Sequence, residues 1–392
     1  MLCFSVCGTA QTGKKIVIGT VDTLYSSVLG EQRTMLIHLP DTAGSVYHSR
    51  KLYPVVYLLD GDVHFHGIAG MMQYMSMVSH VCPEMILVGI THADRMRDLT
   101  PTHDATVPKD SNLVRTSGGG ERFTSFIEKE LIPYIDTHYP AAPYRVLAGH
   151  SLGGLLAVNT LVNHESLFNS YVAVDPALFW DNQKVVQQAD IIFRQKKFSN
   201  KSLYIGCSGV VPVKKDSIMK DKSLATIVER STLQFDKLAS GFSGNGLQYT
   251  MKYYADEEHN SVPFIAIYDA LRFIFSFTRL PDIERSSMTP QVYAKHYKAV
   301  SDKMGYTILP PEDDINSMGY YFLWKKMFDR ARSFFQFNID NYPDSYNVYD
   351  SMSDLYAAEN NKQKAIEYLI KELQIKDLPY IRQKLADLQA SK

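Results

Sequence analysis

Arg145-Val-Leu-Ala-Gly149-His150-Ser151-Leu152-Gly153-Gly154 decides how this chain is read. An apolar strand runs straight into Gly-x-Ser-x-Gly, and an apolar helix, Leu152–Asn163, leaves it. A serine on so sharp a strand-to-helix turn sits in a strained backbone conformation. Strand and helix approach closely there only if the residues two before and two after the serine lack bulk, as Gly149 and Gly153 do. The turn also directs the backbone N–H of Leu152, at the helix N-terminus, toward a carbonyl under attack, which is half of an oxyanion hole. The motif recurs by chance in many chains; the flanking strand and helix make Ser151 a candidate nucleophile.

A serine hydroxyl is a poor nucleophile until a base takes its proton, and in this arrangement the partners follow in the order Ser, acid, His. Of 12 histidines only His164, His259 and His296 lie downstream of Ser151. His164 ends the helix that leaves the nucleophile, and His296 lies in a proline-flanked segment beyond the sheet. His259 remains, in the polar loop Ala255-Asp-Glu-Glu-His259-Asn-Ser-Val-Pro263 between a strand and the helix Phe264–Phe277. The acid is expected in the loop after the strand Ser202–Cys207, which offers Asp216 and Asp221, or at the end of the preceding strand, which offers Asp175. Asp221 is the first choice and Asp175 the second. The other oxyanion donor is expected from Asp60-Gly61-Asp62-Val63-His64, after the strand at Val55, with the N–H of Asp62 best placed.

Outward from the motif, Lys15 to Leu280 alternates short apolar runs with longer amphipathic stretches. Strands are predicted at Met35–Leu39, Val55–Asp60, Met85–Ile90, Arg145–Ala148, Ser170–Val174, Ser202–Cys207 and Leu247–Tyr254, and helices at Gly120–Thr137, Leu152–Asn163 and Ser223–Ala239. The nearly continuous apolar runs at Val55 and Met85 are those of strands covered on both faces. The fold class is therefore α/β: an α/β-hydrolase sandwich with helices on both faces of the sheet.

After Leu280 the prolines at 281, 290, 310 and 311 punctuate the chain and helical periodicity takes over. Asn316-Ser-Met-Gly-Tyr-Tyr-Phe aligns with Asp350-Ser-Met-Ser-Asp-Leu-Tyr at an offset of 34 residues, which also pairs Ala331 with Ala365 and Phe335 with Leu369. That period is tetratricopeptide-like, although the Trp-Leu-Gly spacing of such repeats is not kept and only two units are visible. A plain helical bundle is the alternative. The expected organisation is a leader at 1–14, a catalytic domain at 15–284 and an all-helical region at 285–392 that carries no candidate chemistry and could contact protein.

Composition narrows the partners. Lys and Arg number 41 against 42 Asp and Glu, so no charge excess favours nucleic acid or an acidic membrane surface, and a small-molecule substrate is the better fit. The four cysteines, Cys3, Cys7, Cys82 and Cys207, show no metal-ligand spacing, and no metal or organic cofactor is expected. No window approaches the ~20 apolar residues of a membrane span. Met1–Ala10 reads as the tail of a secretory signal lacking its basic start, which predicts a periplasmic or secreted protein; an ordinary strand there would predict a cytoplasmic one.

Several further stretches now combine into a resemblance. Tyr57-Leu-Leu-Asp-Gly61, Ser117-Gly-Gly-Gly-Glu-Arg-Phe123, Glu130-Leu-Ile-Pro-Tyr-Ile135, Gly149-His-Ser-Leu-Gly-Gly154, Asp175-Pro-Ala-Leu-Phe-Trp180 and His259-Asn-Ser-Val-Pro263 together resemble the "putative esterase" (esterase D-like) family, and within it most closely ferric-siderophore esterases. The resemblance spans Lys15 to Leu280. It implies a serine carboxylic-ester hydrolase with Ser151 as nucleophile, His259 as base and Asp221 aligned with a family carboxylate. Siderophore, feruloyl and short acyl esters are all substrates the family implies. Acyl transfer to an alcohol, or a non-catalytic scaffold built on the helical tail, are the competing readings.

Overall fold

A computed structural model describes residues 15–40, 51–104 and 114–390. The proposed leader, with Cys3 and Cys7, lies outside the described residues. These fall into two compact units, one running to Ile274 and the other beginning at Phe275.

The first unit is built on one eight-stranded sheet: β1 (Thr20–Ser26), β2 (Glu31–His38), β3 (Tyr53–Leu58), β4 (Ile86–Ile90), β5 (Ala141–His150), β6 (Ser170–Val174), β7 (Ser202–Ser208) and β8 (Gln248–Tyr254). Their spatial order is β1-β2-β4-β3-β5-β6-β7-β8, with β2 antiparallel to both neighbours and every pair from β4 through β8 parallel. The helices are α1 (Gly61–Met77), α2 (Arg95–Leu99), α3 (Gly120–Phe126), α4 (Ile132–His138), α5 (Leu152–Asn163), α6 (Trp180–Gln195), α7 (Ile227–Ser240) and α8 (Val262–Ile274). Every residue of β3, β4, β6 and β7 is buried, as the unbroken apolar runs require of strands covered on both faces. Helix α5 is apolar almost all round, and from Leu152 to Val162 each of its residues is buried, so it forms the centre of its layer. Each fully buried Leu, Ile or Val contributes about 1.5–3 kcal/mol.

Parallel strands point their C-terminal ends the same way, so the loops after β3, β5, β6, β7 and β8 gather along one edge of the sheet. Ligand sites of such sheets form along that edge. The edge hairpin strand β1 was not foreseen. The helix expected at Gly120–Thr137 is instead α3 and α4 joined by a π-helical turn at Ile127–Leu131. No described helix is long and apolar enough to cross a membrane.

The second unit is all-helical: α9 (Pro290–Met304), α10 (Glu312–Trp324), α11 (Phe328–Asn341), α12 (Tyr346–Ala358), α13 (Lys362–Ile375) and α14 (Pro379–Ala390). Helices α10 and α11 recur as α12 and α13 with both ends displaced by 34 residues, and the left-handed turn residue Lys326 (φ 58°) recurs as Asn360 (φ 60°). Ala331 and Ala365, the paired small residues, are both fully buried.

Candidate active site

The turn at Ser151 has the strain its spacing implies. Ser151 holds φ 58° and ψ −113°, a conformation L-residues rarely occupy. Its N–H donates to Val174 O at 2.9 Å, and its carbonyl accepts from Ala177 N at 3.0 Å and Leu155 N at 2.9 Å, so both neighbouring loops fix the turn. A Cβ on Gly149 would lie 2.4 Å from the Gly153 carbonyl carbon, which no side chain could satisfy. Helix α5 therefore starts directly against β5, with the Leu152 N–H in its first turn, where no intrahelical acceptor is available.

The loop after β8 carries His259, whose Nδ1 lies 3.0 Å from Asp175 Oδ2. Asp175 follows β6 directly and is fully buried, with φ 41°. Its N–H donates to Gly206 O at 2.8 Å, and its other carboxylate oxygen accepts from Ser208 N at 2.6 Å. A buried carboxylate persists only when so paired. Beyond Ser208 lies Glu229, within 3.3 Å of the serine hydroxyl; burial, and next the charge on Asp175, push its carboxyl above the usual range.

The structure brings Asp175, not Asp221, to His259. Asp221 lies thirteen residues beyond the end of β7 and spends its carboxylate on its own loop, accepting from Ser223 Oγ at 2.6 Å, Ser223 N at 3.1 Å and Thr226 Oγ1 at 2.9 Å. Those bonds hold its carboxyl below the usual range. Asp175, the second choice, is the residue hydrogen-bonded to His259. The available signal was an ionisable residue directly after the apolar run Val172–Val174, at the end of a strand that is buried throughout and pairs with the strand leading to Ser151.

A second histidine adjoins the first. The His150 ring lies 4.5 Å from that of His259 and 5.8 Å from that of His64. Burial, then the neighbouring histidines, push the pKa of His150 down to about 4, so it stays neutral beside His259. Asp62, expected as the other oxyanion donor, lies in the first turn of α1. Asp60, with φ 55°, caps that turn, and its carbonyl accepts from Val63 N and His64 N, leaving the Gly61 and Asp62 amides ahead of the helix's own bonds. Among the described residues no group of three or more His, Cys, Asp or Glu side chains is placed to hold a metal ion.

A serine on a strained turn, whose chain neighbour His150 packs against a histidine bonded to a buried aspartate, at the C-terminal edge of a sheet of this order, is the arrangement of serine hydrolases of the α/β-hydrolase fold. Residues 26–235 match the model of the family described as "Putative esterase", and the chain belongs to that family. It is 28% identical over 239 residues to the ferri-bacillibactin esterase BesA of Bacillus subtilis, covering 56% of this chain and 78% of that protein. It is also 28% identical to the siderophore enterobactin esterase of Emericella nidulans, covering 58% of this chain and 83% of that one. Among solved structures it resembles an IroE-like serine hydrolase from Shewanella oneidensis, with TM-score 0.70 and 29% identity over 82% of this chain and 98% of that one. The protein is an esterase.

Proposed function

We propose that the chain hydrolyses a small-molecule ester of the siderophore type through an acyl-enzyme on Ser151. The observation that carries this reading is the His259–Asp175 hydrogen bond, with Asp175 fully buried and His150, the chain neighbour of Ser151, packed against the His259 ring. A carboxylate on Nδ1 fixes the tautomer in which Nε2 is free to accept a proton. His259 takes the Ser151 proton as the hydroxyl attacks the ester carbonyl, then returns it to the leaving alcohol. Water, activated in the same way, releases the acid and restores the serine. The developing oxyanion is held by the N–H groups of Leu152 and Asp62, each at the start of a helix whose dipole favours negative charge.

The substrate class rests on relatives named as siderophore esterases. Chromatography of products from ferric catecholate trilactones, feruloyl esters and short acyl esters tests it. Catecholate trilactones are expected to be cleaved with the highest kcat/KM, and Ser151→Ala to be inert toward every ester. Preference for a feruloyl or short acyl ester by more than tenfold would refute the siderophore assignment while leaving the mechanism in place.

A further inference from the structure

Two segments must stay in register for a two-donor oxyanion hole to work: the start of α1, which carries Asp62, and the start of α5, which carries Leu152. They come from different strands, β3 and β5, and are far apart in sequence. The rings of His64 and His150 meet across them at 5.8 Å, and one further side chain hydrogen-bonds beside both. Arg95, at the start of α2, donates from Nε to Asp60 Oδ1 at 2.6 Å and from Nη2 to Asp60 Oδ2 at 2.9 Å, and the same Nη2 reaches the carbonyl of His150 at 3.4 Å. Asp60 caps α1 two residues before Asp62, and His150 precedes the nucleophile.

A second chain of hydrogen bonds reaches Asp60. Its N–H donates to His92 Nε2 at 3.2 Å, and His92 Nδ1 lies 3.4 Å from Asp98 Oδ2, which in turn accepts from the buried Arg33 at 2.9 Å. Gly61 has no room to move back, since a Cβ there would lie 2.5 Å from the Gly89 carbonyl carbon. On the other side, a Cβ on Gly153 would lie 3.3 Å from Asp60 Oδ2, so the carboxylate rests against the first turn of α5. The Asp60 side chain is 5% exposed, whereas that of Arg95 is 41% exposed. A partly exposed arginine is thus committed, in bidentate geometry, to a buried carboxylate wedged between the two segments.

We propose that Arg95 is a positioning residue that sets the spacing of the two oxyanion donors, through Asp60 on one side and the His150 carbonyl on the other. The proposal rests on the reading of Leu152 and Asp62 as those donors. Losing one donor of such a pair typically costs about 10²–10³ in rate, and misplacement by about 1 Å can cost 10²-fold. Loosening the strap should therefore affect the transition state more than substrate binding.

The test compares wild type with Arg95→Met, Arg95→Lys, Asp60→Asn and the Arg95→Met/Asp60→Asn double variant, using p-nitrophenyl butyrate and a trifluoromethyl ketone that forms a reversible tetrahedral adduct. Circular dichroism first fixes a temperature at which each variant is folded. The expected result is a fall in kcat of about 10–100-fold for each single variant with KM within about threefold, a matching loss of ketone affinity, and a double variant no worse than the poorer single one. Asp60→Asn keeps a residue tolerant of the left-handed conformation, so the contact remains testable if Arg95→Met does not fold. Folded variants with wild-type kcat and ketone affinity, or losses confined to KM, would overturn the proposal. Ser151→Ala separates the two levels: activity surviving there defeats the underlying mechanism, whereas an inert Ser151→Ala alongside fully active Arg95 variants defeats only the positioning role.

Discussion

The sheet unit and the helical unit treat buried charge differently. In the sheet unit Asp60, Asp98 and Asp175 are buried against Arg95, Arg33 and His259, and each sits in a loop or short helix at the end of the sheet where the parallel strands terminate. In the helical unit Glu372 is fully buried, with Tyr380 donating to one oxygen at 3.1 Å while Oε2 has no hydrogen-bond partner. Burial, and next the charge of Asp350, raise its pKa to about 7. The contrast separates two uses of polar groups: fixing loops that must act together, and tolerating a charge inside a stack made mainly of apolar and aromatic side chains. Hydrogen-bonded carboxylates hold Asp60 against Arg95 and Asp175 against His259 along one edge. The stack needs only its period.

The sharpest break of this comparison lies within the sheet unit. Asp175→Asn should lower kcat by about 10³–10⁴, by analogy with neutralising a triad aspartate, while Asp221→Asn should change it less than about threefold. Steady-state kinetics on p-nitrophenyl butyrate check both, and the reverse ranking would return the acid role to Asp221.

The two units should also respond to pH with opposite sign. For His150 the folded pKa of about 4 lies below the unfolded value near 6.5, so the unfolded state binds more protons between them. Stability of the sheet unit should therefore fall as pH drops from about 6.5 to about 4, by up to about 3 kcal/mol. For Glu372 the folded value of about 7 lies above the usual 4.5, so its contribution is full below about 4.5 and is lost as pH rises to about 7, with a similar upper bound. Denaturant titrations read by hydrogen exchange in peptides of each unit should show these trends, and His150→Phe and Glu372→Gln should each flatten one of them.

A smaller effect sharpens the repeat. Gly319 faces the Phe335 ring so closely that a Cβ would lie 2.2 Å from a ring carbon, whereas its counterpart 34 residues on, Ser353, fits and donates to Ala365 O at 3.0 Å. Gly319→Ala should destabilise the helical unit by about 1–3 kcal/mol, and Ser353→Ala by no more than about 1.5 kcal/mol, as measured by urea melts. The difference would show where the two repeats have ceased to be interchangeable.

Much of this architecture was legible from residue order. Strand β6 keeps the bounds read from the sequence, the strained turn at Ser151 follows from Gly149 and Gly153, and the helix period follows from Ala331 and Ala365. These are local or periodic signals. Asp175 was ranked below Asp221 because choosing between them requires knowing which loop meets His259, a fact of strand order and loop path. The Arg95–Asp60 contact was invisible for the same reason, since nothing in residues 91–99 marks an arginine aimed at a helix cap. Strand β1 escaped because its residues are mostly exposed or half-exposed, leaving no apolar run to read.

Peptide mapping after treatment with a fluorophosphonate tests the central claim most directly, because the reagent bonds only to an activated serine. The account predicts a single stoichiometric adduct on Ser151 in the wild type and strong suppression of labelling in His259→Ala. An adduct on another serine, or none on folded protein, would contradict it.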